Sequence, residues 1–440
     1  MTKKNVLFFS FLFFSLSLSL FPQDIFDSAL QEKRFTYELN GYVRAGSYMG
    51  PLAEGEGSES KSMYGETSLK LRLRKGAIGG AFAEIRIKED IDNENDGARI
   101  ILREGYVDAH LGAFDMRIGQ QVIVWGKADG YNPTNVITPY NFLSFSPDED
   151  DRRNSNFLFR LFWNHLGENS TFRMEAIWIP LYKASVLPFQ KAVLPQNAEL
   201  LDGVYPNESV SNSGFALKLN YFGSLLDGSI SYFNGYIPMP GLSAEEVDNS
   251  LQIFPISYRA QVIGMDFSTT AGNFGLKVEI AYKIPEKKED IYQSIPCSQI
   301  EYVFGADREY GHFSIIIQYS GKYTFNFTRL KNSDPAGYDF IRYKICLWNR
   351  MLSSQIEEWQ HSVSLRPSWN IFHEKLHMEL LGSFNFSTEE LFLKPKITYE
   401  LSDSLDITVG AQVYLGPEET LYGEIDKSLS AGFLECKAFF

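Results

Sequence analysis

The sequence predicts an all-β fold, a transmembrane antiparallel up-and-down β-barrel of about 18 strands. Three observations carry that expectation. Segment after segment alternates apolar and polar side chains with a period of two, which marks a strand with one greasy and one wet face. The links between segments alternate between short turns and long polar loops, the asymmetry of barrels with short periplasmic turns and long extracellular loops. Aromatic residues make up 15% of the chain, and girdles of Trp, Tyr and Phe at the two membrane interfaces would use them. A β-sandwich gives no reason for loop length to alternate along the chain. A solenoid would show a fixed repeat, and none is visible.

The first segment, residues 1–23, has a basic start at Lys3 and Lys4, then an apolar run from Val6 to Leu20 that stops at Pro22-Gln23-Asp24. That is the layout of a cleaved secretory signal peptide. Residues 24–440 then form one barrel domain, exported through the periplasm to a bacterial outer membrane. No later apolar stretch is long enough for a spanning helix. The formal net charge of -14 argues against a nucleic-acid partner, which asks for the opposite sign. Three widely spaced cysteines, Cys297, Cys346 and Cys436, exclude a disulfide framework and leave room for one bridge.

Strands are expected to begin near Phe35, Met63, Ile78, Ile100, Phe114, Asn156, Ser170, Ser213, Asp227, Arg259, Gly272, Ser298, Gly311, Trp359, Lys375, Leu391, Leu405 and Ser428. Leu69, Leu71 and Leu73, for example, interleave with Lys70, Arg72 and Arg74. Long connections are expected at 47–62, 89–99, 125–155, 180–212, 238–258, 284–297 and 322–358, while 387–390 is short and 416–427 intermediate. Within 322–358, Tyr338 to Leu352 reads either as a short helix or as an extra strand. The final strand ends on Phe440, the kind of terminus that barrel-assembly machinery reads, and places Cys436 on its apolar face.

With apolar faces toward outer-membrane lipid, the opposite faces point inward and carry charge that hydrocarbon would not accept. Arg72, Arg74, Arg86 and Arg117 fall on neighbouring strands, together with Glu104 and Asp108. They are the candidate pore-lining and selectivity residues, and most other inward charges, Glu279 and Lys394 among them, are expected to pair and fill the lumen. No nucleophile elbow, HExxH or paired CxxC pattern occurs. His110, near Asp108, reads as a lumen polar group, so neither catalysis nor a cofactor is expected.

The most distinctive stretch follows the fifth strand. Trp125-Gly126-Lys127-Ala128-Asp129-Gly130 leads into Asn132-Pro133-Thr134-Asn135 and ends at Asp148-Glu149-Asp150-Asp151-Arg152-Arg153. Two glycines allow close backbone approach, and Pro133 and Pro139 stiffen the path. This is a defined loop that either folds inward to narrow the pore or packs on its extracellular neighbours; Trp125, Gly126, Asp129, Asn132, Asp148, Asp150 and Arg152 are its candidate constriction residues. The acidic run could hold a hard cation, but it lacks the spacing of a calcium loop, and Arg152 and Arg153 neutralise it; no metal is expected.

Together with Gly119-Gln120-Gln121, Thr138-Pro139, Trp178-Ile179-Pro180 and Ser185-Val186-Leu187-Pro188, this stretch resembles an uncharacterised, porin-like family of bacterial outer-membrane β-barrels. The resemblance covers about 70 residues and implies a barrel without naming a solute. The reading from the residues is a channel, monomeric or homotrimeric, for diffusion of small polar or anionic solutes. The alternative is a closed barrel that acts as an adhesin through its long loops.

Overall fold

The computed structural model describes residues 35–52, 56–91, 97–167, 170–188, 198–247, 250–286, 290–331 and 338–440. The expected signal peptide lies outside these residues. In chain order the first strands are β1 (Phe35–Pro51), β2 (Ser58–Lys75), β3 (Gly79–Asp90), β4 (Arg99–Leu111), β5 (Phe114–Gln121), β6 (Asn156–Leu166) and β7 (Ser170–Ile179). They are followed by β8 (Ala198–Leu200), β9 (Gly214–Gly223), β10 (Leu226–Tyr236), β11 (Gly241–Val247), β12 (Ser250–Ile256), β13 (Arg259–Ala271) and β14 (Phe274–Pro285). The last are β15 (Gln299–Tyr310), β16 (Phe313–Thr324), β17 (Trp359–Ile371), β18 (Leu376–Asn385), β19 (Glu390–Ser402), β20 (Leu405–Leu415) and β21 (Ala431–Phe439), with helices α1 (Tyr338–Ser353) and α2 (Leu421–Leu429).

Eighteen of these strands make one sheet in which each pairs antiparallel with the next, and β21 closes on β1 from Tyr42 opposite Phe439 to Met49 opposite Gly432. Closure satisfies every strand edge from within, which is what a bilayer demands of a spanning sheet. The remaining three, β8, β11 and β12, pair among themselves within the long connections 180–212 and 238–258. The strand count and the strand order follow the expectation from the period-two pattern.

The differences lie in the connections. Residues 47–62 are mostly paired strand rather than loop, because β1 and β2 continue their ladder from Ser47 opposite Met63 to Pro51 opposite Ser58. Residues 338–353 are helical, so no nineteenth barrel strand exists among the described residues. The reason is a stripe at helical spacing, in which Ile345, Trp348 and Met351 bury against Leu242, Leu251, Ile253 and Tyr292. Asn349 pins this helix from inside, donating to the carbonyls of Leu242 and Tyr292. The last strand starts at Ala431 because Ser428 belongs to α2, which Thr420 caps through Gly423 N–H.

Side chains alternate as the pattern requires. Leu69, Leu71, Ile85, Ile87, Leu217, Leu219 and Leu434 stand exposed on the outer face, where acyl chains would cover them. Cys436 shares that exposed face, and all three cysteines are free. No described helix is long and apolar enough to cross a membrane. Leu69→Arg should therefore destabilise the folded barrel in lipid vesicles by about 2–4 kcal/mol. Lys70→Arg, one residue along and facing inward, should leave it within about 0.5 kcal/mol. Equilibrium denaturant titration of both proteins checks the pair.

Candidate functional site: a loop folded into the lumen

Residues 122–155 leave β5 and turn into the barrel. Glu104 starts the turn by accepting the Val122 N–H at 2.8 Å. Ile123, Trp125, Val136 and Ile137 then bury against Leu158, Ile177, Ala216, Phe233, Val262 and Ala281. Those six strand residues sit at inward positions that are apolar instead of charged, so they form a greasy landing strip for the loop. Trp125 also donates its indole N–H to Glu175 at 3.3 Å.

Across the barrel the loop ends on Glu279 of β14. This carboxylate is 1% exposed. It accepts backbone N–H groups from Lys127 (3.0 Å), Ala128 (3.2 Å) and Thr134 (2.8 Å), and the Thr134 hydroxyl at 2.9 Å. The approach is close enough that a side chain at Gly126 would overlap Asn132 Oδ1 and Glu279, and Gly126 has φ +92°; only glycine fits both constraints. Asn132 Oδ1 lies 3.4 Å from the Thr134 hydroxyl, on the inner side of the turn. Beyond it, Asp129 pairs with Lys277 at 2.7 Å, Gly130 N–H donates to Gln318 at 2.7 Å, and the Tyr131 hydroxyl donates to Glu301 at 2.5 Å.

The second half of the loop returns to the opposite wall. Asp151 bonds Arg44 of β1 and Arg86 of β3, each at 2.7 Å, and accepts the Ser146 hydroxyl at 2.6 Å. Burial alone would raise its pKa; the two guanidiniums and the hydroxyl outweigh burial and hold Asp151 well below the usual carboxylate range. Arg152 donates to Gln412 at 3.1 Å and lies 3.5 Å from Glu149. Glu149 in turn pairs with Lys394 of β19. Asp148 caps the short 149–152 turn through Asp150 N–H at 3.0 Å, and Asp150 pairs with Arg153. Each member of the acidic run therefore has a donor within the protein. Phe145 packs among Tyr48, Tyr64, Phe392, Tyr414 and the inner side of α2.

The candidate selectivity residues fall into two groups. Arg86 is spent on Asp151 and on Glu84 at 2.7 Å, and Glu104 on the loop's first amide. Arg117 pairs with Asp108 at 2.6 Å and lies 4.0 Å from the Tyr106 ring centre. Arg72 lies over Phe82 at 5.4 Å, and Arg74 is exposed toward the short-turn rim. These two show no carboxylate partner among the described ion pairs. His110 pairs with Asp115 at 2.7 Å, away from the loop.

Sequence reasoning placed Glu279 in the lumen without seeing it as the anchor, and it passed over Arg44, Arg103 and Glu301. Arg103 is the extra residue of a bulge between Glu84/Ile85 and their partners, and it donates to the carbonyls of Asp150 and Arg153. The legible signal was the run of strand ends apolar on both faces, which only a docked segment explains.

The loop leaves an opening beside it. A cavity of about 580 Å³ lies between Asp129–Tyr131 and 147–150 on the loop and the inward faces of β16 to β19.

No family model matches the sequence, and no curated protein does. Solved structures do share the fold. Acinetobacter baumannii OccAB1 is 11% identical with a TM-score of 0.54, the alignment covering 92% of this chain and 96% of that one. Pseudomonas aeruginosa OpdK, determined with vanillate, is 8% identical with a TM-score of 0.53, covering 92% and 98%. A BenF-like porin from Pseudomonas fluorescens Pf-5 is 9% identical with a TM-score of 0.51, covering 92% and 98%. At such identities the likeness is one of fold: this chain has the closed 18-strand architecture of solved outer-membrane porins.

Two outcomes test the anchors. Glu279→Ala strips four donors of their acceptor and should cost about 1–3 kcal/mol, with new protease cleavage inside 125–135 of the folded barrel. For Asp151 the folded pKa is depressed, so its contribution is complete above the unfolded carboxylate value and fades only as pH falls through the depressed one. Proteolytic protection of 141–153 should therefore persist when pH is lowered past about 4, the range of a free carboxylate, and be lost in Asp151→Asn at neutral pH.

Proposed function

We propose that this chain is an outer-membrane channel, porin-like, through which small polar or anionic solutes diffuse, with residues 125–155 as its constriction. One observation carries the reading. The loop is bonded to opposite walls of the barrel, at Glu279 and at Asp151, and the room left beside it is a polar cavity of about 580 Å³, whose lining is what a crossing solute would meet.

Gly126, Asn132 and the acidic end of the loop, which carry the resemblance to the uncharacterised porin-like family, also build the two anchors, and Trp125 of the same motif builds the apolar seal between them. That gives the motif a physical reason to exist. Arg72 and Arg74 supply cationic charge at the short-turn rim, Arg117 and Asp108 a neutralised pair beside it. The outer face is suited to outer-membrane lipid, and β21 with Phe440 to the barrel-assembly machinery. A homotrimer is the oligomer to look for. The adhesin alternative has no use for a polar cavity beside an inward loop and is not favoured.

Purified protein in planar bilayers should give steady single-channel openings. Deleting 132–150 should raise their conductance; an unchanged value would place the loop outside the ion path. Arg72→Glu should shift the KCl reversal potential toward cation preference more than Arg117→Glu does, since Arg117 is already offset by Asp108.

A further inference from the structure

The open side of the lumen differs in chemistry from the covered side. Five cations line the cavity, and each already has a carboxylate: Arg153 with Asp150, Lys322 with Glu301 (3.3 Å), Arg366 with Glu379 (2.6 Å), Lys394 with Glu149, and Lys396 with Glu379 (3.2 Å). The cavity lining holds one more acidic group than basic ones, and the whole chain carries -14. An anion entering here would meet no uncommitted positive charge and would compete with an existing carboxylate at every cation.

What the wall offers freely is neutral. Ser320 and Ser362 share a hydrogen bond of 2.6 Å across β16 and β17, and Ser364 and Ser383 line the same cavity on β17 and β18. On the same inward faces, toward the short turns, Ser314 and Ser368 share another bond of 2.6 Å. A hydroxyl both donates and accepts, so each member of such a pair can exchange its partner for a solute hydroxyl without leaving a group unpaired. Tyr131, 42% exposed on the loop tip, faces this wall and presents a ring against which the C–H faces of a polyol could lie.

Resting on the channel reading above and narrowing its solutes to the polar, uncharged ones, we propose that the passage between the loop tip and β16 to β18 selects uncharged polyhydroxylated solutes, sugars and sugar alcohols, over carboxylates of equal size. The hydroxyls of Ser320, Ser362, Ser364 and Ser383 form the track, and the self-paired ions beside it act as a screen rather than as a binding site.

Liposome swelling with sorbitol and with sodium gluconate tests this, because the two solutes share a carbon skeleton and differ in charge. Sorbitol should enter wild-type proteoliposomes several-fold faster. The double substitution S362A/S364A should reduce sorbitol entry several-fold in a barrel that still folds and still opens as a single channel in KCl. Gluconate entry equal to or faster than that of sorbitol overturns the proposal, and so does an alanine variant that passes sorbitol at the wild-type rate. Absence of swelling and of conductance with every solute would instead remove the channel reading, and this inference with it.

Discussion

Two carboxylates, the buried Glu279 and the largely covered Asp151, hold the interior of this barrel in its form. An ionised carboxyl removed from water is costly unless donors replace the lost hydration. Glu279 receives three backbone N–H groups and a hydroxyl, all from one turn of the loop. Asp151 travels the other way, from the loop into a pair of wall arginines. Neither the wall nor the loop is satisfied alone. The barrel holds a carboxylate that needs the loop, and the loop carries one that needs the barrel.

That reciprocity makes the lumen lopsided. Apolar contact at Ile123, Trp125, Val136 and Ile137 seals the loop onto β6 through β14, and Phe145 seals its return against β1, β19, β20, β21 and α2. Charged side chains along β1 to β7 are largely consumed in this attachment or in pairs with one another. Space remains along β16 to β19, where neutral hydroxyls and self-paired ions form the surface. The chain's charge is therefore used mainly to position the loop, and the passage takes its character from what is left over.

The barrel was legible in the sequence because period two is a strong signal and because loop length alternates with it. The eighteen starts follow from side-chain alternation alone, and the shifts at Ser58 and Ala431 come from tertiary effects, a ladder prolonged beyond the bilayer and a capped helix inside a loop. The helix Tyr338–Ser353 stayed ambiguous because its buried stripe makes sense only once Leu242, Ile253 and Tyr292 are in place to receive it. For the loop, the sequence marked which residues were unusual but not where they went. Gly126 announces a tight approach without naming the partner, and Glu279 is one of many inward acids until the turn that surrounds it is present. Leu158, Ile177 and Phe233 were the overlooked clue, since an apolar residue on the wet face of a barrel strand implies something lying on it.

The loop tip lies against the far wall at β16 and β17, with Gly130 beside Gln318 and Ser364. A Cβ placed on Gly130 would be 3.9 Å from that of Ser364, within the separation that a disulfide spans without strain. With Cys297, Cys346 and Cys436 replaced by serine, the G130C/S364C barrel should form this cross-link under mild oxidation and show it as one intramolecular disulfide in peptide mapping. Two free thiols in the folded, oxidised protein would contradict the account, because the loop tip would then rest elsewhere.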